Sequence, residues 1–128
     1  MDNIIYLENT DVLIDEIISD LDIFKDKIVV VLVQSESCVI CSDLKKKYNN
    51  LENKDNIVYT TIQHDGKYSS NIVDAFYVLL GIKTVPYFLV YDTKGKLMKN
   101  HKEYTKTLQI ALNKSELSLH EEIKLLKI

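Results

Sequence analysis

Two cysteines stand two residues apart in Ser37-Cys38-Val39-Ile40-Cys41, and the chain has no others. A pair at this spacing can cycle between dithiol and disulfide, supply half of a metal site, or pack as two small apolar thiols. Structural zinc takes four ligands, usually as two cysteine or histidine pairs. No second pair is present, and His64, His101 and His120 lack ligand spacing. No metal site is therefore expected. The choice between redox pair and packed thiols depends on the elements that hold the cysteines.

The run Ile28-Val29-Val30-Val31-Leu32-Val33 is apolar and mostly β-branched, which predicts a strand buried on both faces over residues 27–33. A helix is expected over 39–50, with Asp43 in its first turn. Cys38 then follows a buried strand after a short loop, and Cys41 falls in the first turn of the helix. That turn carries free N–H groups and the positive end of the helix dipole, which stabilise a thiolate. Cys38 is the expected nucleophile. Cys41 is placed to attack the mixed disulfide and release the partner.

Further elements alternate along the chain. Strands are expected at 4–7, 57–63 and 86–91, and a further strand at 96–99 after the turn Asp92-Thr93-Lys94-Gly95. Apolar spacing predicts helices over 11–21, with Thr10 as cap, and over 72–80. Gly81 stands where the second of these needs a left-handed residue. Two more helices are expected at 105–112 and 118–126, the latter opening on the capping box Ser118-Leu119-His120-Glu121. The order predicts one α/β domain over residues 1–128, a central mixed sheet with helices on both faces.

Composition limits the rest. The chain has 128 residues, a formal charge of −3, and 46% hydrophobic and 27% charged residues, with no arginine. Nothing there concentrates nucleic acid. Lys45-Lys46-Lys47 reads as a solvated helix face. No apolar run reaches the roughly 18 residues of a membrane span, and residues 1–6 lack a secretory pattern. A reducing, cytoplasmic setting is the expectation.

A strand, a Cys-x-x-Cys, a helix, and then Gly81-Ile82-Lys83-Thr84-Val85-Pro86 leading into Tyr87-Phe88-Leu89-Val90-Tyr91 resembles the thioredoxin family, over roughly residues 10–126. The resemblance implies a thioredoxin-like fold and thiol–disulfide exchange on protein disulfides. It implies a cis peptide before Pro86, the chain's single proline, lying against the cysteine pair. It also implies that Thr84, Val85 and Pro86 bind an extended substrate segment, with the Val85 backbone adding it as a strand. Val39, Ile40 and Tyr87 would form an apolar rim. No cofactor is implied, but an upstream electron donor is, such as a flavoenzyme reductase.

Four positions depart from the family pattern. Ser37 replaces the tryptophan before the first cysteine, Val39-Ile40 replaces Gly-Pro, and Leu32 stands where the family has a buried acid. Glu36 is a weak substitute for that acid, and His64-Asp65 could approach Cys38 but reads as loop. His101 and His120 sit among polar residues and carry no motif. The alternative to an exchange enzyme is a non-catalytic binding or accessory protein that uses the same groove.

Overall fold

A computed structural model describes residues 5–6, 26–34, 39–63, 81 and 85–126, with the backbone alone for 5–6, 39–42 and 62–63. The β-branched run forms strand β2, Ile28–Gln34, in the middle of a four-stranded sheet. Strand β1 (Ile5–Tyr6) pairs in parallel with β3 (Ile57–Gln63), and β3 pairs in parallel with β2 from Ile28↔Ile57 to Gln34↔Gln63. Strand β4 (Tyr87–Tyr91) runs antiparallel on the other side of β2, from Val33↔Tyr87 to Val29↔Tyr91. The mixed sheet matches the sequence expectation.

Three helices are described: α1 (Val39–Asn49), α2 (His101–Lys114) and α3 (Glu116–Leu125). All three contribute to one core. Val30, Leu32, Ile57, Tyr59, Phe88 and Val90 of the sheet pack with Leu44, Tyr48, Leu108, Leu112, Leu119 and Ile123 of the helices. Burying side chains of this size contributes about 1.5–3 kcal/mol each. Tyr48 adds a polar anchor, because its buried hydroxyl donates to the carbonyls of Thr60 and Val30 on adjacent strands. The opposite sheet face is buried as well, at Val29, Val31, Val33 and Leu89. The helices expected over 11–21 and 72–80 lie outside the described residues.

Three local expectations need correction. Residues 96–99 do not form a strand; an isolated antiparallel bridge, Tyr91↔Leu97, stands there, beside a bond from Met98 N–H to the Val90 carbonyl. Asp92 accepts from the N–H groups of Lys94 and Lys96 and tightens the turn. The next donors on the β4 edge are taken by side chains of α2. Helix α3 starts earlier than expected, capped by Ser115, whose hydroxyl accepts from Ser118 N–H at 3.0 Å. Ser118 is inside that helix, so it is not the cap. Asp43 lies beyond the first turn of α1.

Other local signals hold. Gly81 and Gly95 have φ of 68° and 81°, the left-handed region that costs glycine nothing. Asp55 and Asn56 also have positive φ, 54° and 62°, in the tight turn closed by Ile57 N–H to the Lys54 carbonyl. Asp and Asn are the side-chain-bearing residues that tolerate this region best.

Candidate active site

The end of β2 and the start of β4 meet at one edge of the sheet, because Val33 pairs with Tyr87. Chain direction explains the meeting: β2 runs toward this edge and β4 runs away from it. Helix α1 begins at Val39, five residues after β2 ends at Gln34. Cys41 is the third residue of α1, inside the turn whose N–H groups have no intrahelical acceptor. Val85 and Pro86 lie immediately before β4, Val85 half-buried and Pro86 buried, and the peptide between them is cis.

Cys38 and Thr84 lie outside the described residues, as do Glu36 and His64. The side chains of Val39, Ile40 and Cys41 are outside them too. Tyr87, expected at an apolar rim, is instead buried at 7% exposure, and its hydroxyl is bonded to His101 Nδ1. A ring packed into the fold this way cannot form a rim. Burial raises the Tyr87 pKa and lowers that of His101, with Lys102 and Lys99 adding to the latter.

Below this edge the core holds an unusual polar pair. Gln34, 1% exposed, donates from Nε2 to Thr61 Oγ1 at 2.7 Å, and Thr61 donates to the Leu32 carbonyl at 2.8 Å. Leu32 itself is 1% exposed within the apolar core, so the position of the family's buried acid is filled by hydrocarbon.

Both histidines read as motif-free are structural partners of tyrosines. His120 Nδ1 is 2.8 Å from the Tyr59 hydroxyl, and His120 Nε2 is 2.9 Å from Asp55 Oδ2. The Asp55 carboxylate can only accept, so Nε2 carries hydrogen and, in the neutral ring, the Tyr59 hydroxyl donates to Nδ1. The His120 hydrogen bond holds the Asp55 carboxyl below its ordinary range, against an opposing effect of burial and with help from Lys124. Neither contact was visible from local pattern. The one signal available was the four-residue spacing of His101, Thr105 and Gln109, one helix face of polar residues.

No protein-family model matches the sequence, and no curated protein matches it. Solved structures do match in shape. Spinach chloroplast thioredoxin f, short form, is 15% identical with a TM-score of 0.57, covering 84% of this chain and 91% of its own. Malassezia sympodialis thioredoxin is 14% identical with a TM-score of 0.56, covering 91% and 93%. Thioredoxin f2, solved in complex with ferredoxin:thioredoxin reductase, is 17% identical with a TM-score of 0.56, covering 86% and 96%.

The chain has the thioredoxin fold. In it the end of β2, which precedes α1, and the Val85-Pro86 segment, which precedes β4, lie at the same end of the sheet. Among the described residues no cluster of three or more acidic, histidine or cysteine side chains is placed to hold a metal ion. No described helix is long and apolar enough to cross a membrane.

Proposed function

We propose that the protein is a thiol–disulfide oxidoreductase acting on protein disulfides through Cys38 and Cys41. The observation that supports this reading is that β2, the strand before the cysteine pair, ends beside the start of β4, which directly follows Val85-Pro86, across the Val33↔Tyr87 pair. The Cys38 thiolate attacks one sulfur of a substrate disulfide. A mixed disulfide forms, and the other substrate sulfur leaves as a thiolate. Cys41 loses its proton and attacks the Cys38 sulfur, forming the Cys38–Cys41 disulfide and releasing the second substrate thiolate. Two electrons pass to the substrate. A reductase restores the dithiol by the reverse exchange; its kind is suggested by the thioredoxin f2 complex, and a flavoenzyme would serve equally. Thr84, Val85 and Pro86 receive the substrate backbone, beside Val39 and Ile40, and a reducing cytoplasmic setting suits the cycle.

Leu32 favours a second reading. The buried residue at the position of the family's acid is a hydrocarbon, so that position offers the proton of Cys41 no acceptor, which suits a binding protein that holds partners without turnover.

Cys41→Ser separates the two. An exchange enzyme of this type accumulates a mixed disulfide through Cys38, removed by dithiothreitol and absent from a Cys38→Ser/Cys41→Ser protein. A redox potential near about −270 mV would mark the pair as a thioredoxin-type reductant, and one above about −180 mV as an oxidant or isomerase. If neither the trap nor an intramolecular disulfide forms in any thiol buffer, exchange is excluded and the binding reading stands.

A further inference from the structure

Among the described residues no fifth strand completes the edge of β4. Helix α2 holds the start of β4 there with side chains. Gln109 donates from Nε2 to the Pro86 carbonyl at 2.7 Å. The Phe88 N–H donates to Thr105 Oγ1 at 2.7 Å. His101 Nδ1 is bonded to the Tyr87 hydroxyl. Three consecutive residues, Pro86, Tyr87 and Phe88, are thus each fixed by a different side chain of one helix.

The three holders are spaced by four. A step of four residues turns an α-helix by about 400°, leaving successive side chains on one slowly winding stripe about 6 Å apart. His101, Thr105 and Gln109 form that stripe. Tyr104 extends the arrangement down the strand, accepting from Val90 N–H at 2.8 Å and donating to the Met98 carbonyl at 3.2 Å. A backbone ladder would hold the edge through groups common to every residue. Here each contact depends on one replaceable side chain.

We infer that His101, Thr105 and Gln109 are positioning residues that set how the Val85-Pro86 segment is presented to a protein disulfide. They act on the substrate-binding segment. The inference rests on the exchange reading above, since the segment matters only if it receives a substrate.

The test compares a protein disulfide (insulin) with a small one (hydroxyethyl disulfide) on the full chain. Thr105→Val removes the acceptor and leaves the buried Phe88 N–H without it. Gln109→Ala frees the Pro86 carbonyl. Each is expected to raise KM for insulin more than it lowers kcat. Preference for insulin over the small disulfide should fall about five- to tenfold, the equivalent of one neutral hydrogen bond. Thr105→Ser keeps the hydroxyl and should restore the preference. Thr107→Ala, exposed on the same helix, serves as control. If Gln109→Ala does not fold, Gln109→Glu keeps the volume and removes the donor.

In an active protein, unchanged preference in Thr105→Val and in the Gln109 variant overturns the inference and leaves exchange standing. Loss that Thr105→Ser fails to restore also overturns it. A parent protein that reduces neither disulfide overturns the exchange reading and this inference together.

Discussion

Among the described residues, two buried tyrosine–histidine pairs stand at opposite ends of the sheet, and they are built differently. Tyr59 and His120 meet at the end where β2 and β3 begin; Tyr87 and His101 meet where β4 starts beside the end of β2. The first pair is completed by a carboxylate, Asp55, and His120 is fixed at both ring nitrogens. The second is flanked by Lys99 and Lys102, and its histidine is held below its ordinary pKa. An acid beside an imidazole fixes its tautomer and its place. Burial, with Lys102 and Lys99, favours the neutral ring. The end remote from the candidate site is therefore a clasp, and the end next to it is a lighter joint.

Removing His120 should have the largest effect. His120→Ala strips both bonds, leaves the buried Tyr59 hydroxyl without its acceptor and opens a cavity. A loss of about 3 kcal/mol in urea unfolding is expected. His101→Ala removes one bond at a site where α2 is also held by Thr105 and Gln109, and a loss of about 1–2 kcal/mol is expected. If the order reverses, the joint carries more of the fold than the clasp, and the comparison is wrong.

The two ends also differ in what sequence could reveal. Strands β2 and β3 and helix α1 follow from β-branched runs and helical spacing, and their observed limits lie within a residue of those expected. The cysteine pair and Pro86 were legible as residue types at a spacing. The contacts between Tyr87 and His101, and between Tyr59 and His120, join residues 14 and 61 positions apart, and no local period encodes them. Helix α2 begins four residues before the expected 105 because His101-Lys102-Glu103 offers no apolar rhythm. The missing strand at 96–99 has the same root. Whether a short segment pairs depends on who else claims the edge, and Tyr104 and Thr105 claim it only in three dimensions.

A pH titration sharpens the comparison. Folding takes His101 as the neutral imidazole. Between its lowered folded pKa and the unfolded value of about 6.5, the unfolded chain binds the extra proton. Stability from this group is complete above about pH 6.5 and falls as pH drops through that window. Urea unfolding at pH 7.5 and pH 5.5 measures the fall, and His101→Gln should shrink it. A slope that survives His101→Gln unchanged would assign it to another group.

Asp55→Asn should have the smallest effect, and it asks what the carboxylate contributes beyond shape. Asp55 is 55% exposed, so solvent screens its charge. Asparagine accepts the same left-handed backbone, and its Oδ1 can still receive the His120 Nε2–H. The hydrogen bond remains and only the charge goes, together with the 3.9 Å approach of Lys124. Because the folded pKa of Asp55 is depressed, its contribution is present above about pH 3.9 and is lost as pH falls through the folded value. The variant should therefore sit slightly below the parent near neutral pH, and the two melting curves should converge in acid. High salt should narrow the gap as well. A loss as large as that of His120→Ala would mean that the charge, rather than the imidazole bridging Tyr59 to the turn, holds α3 to the sheet.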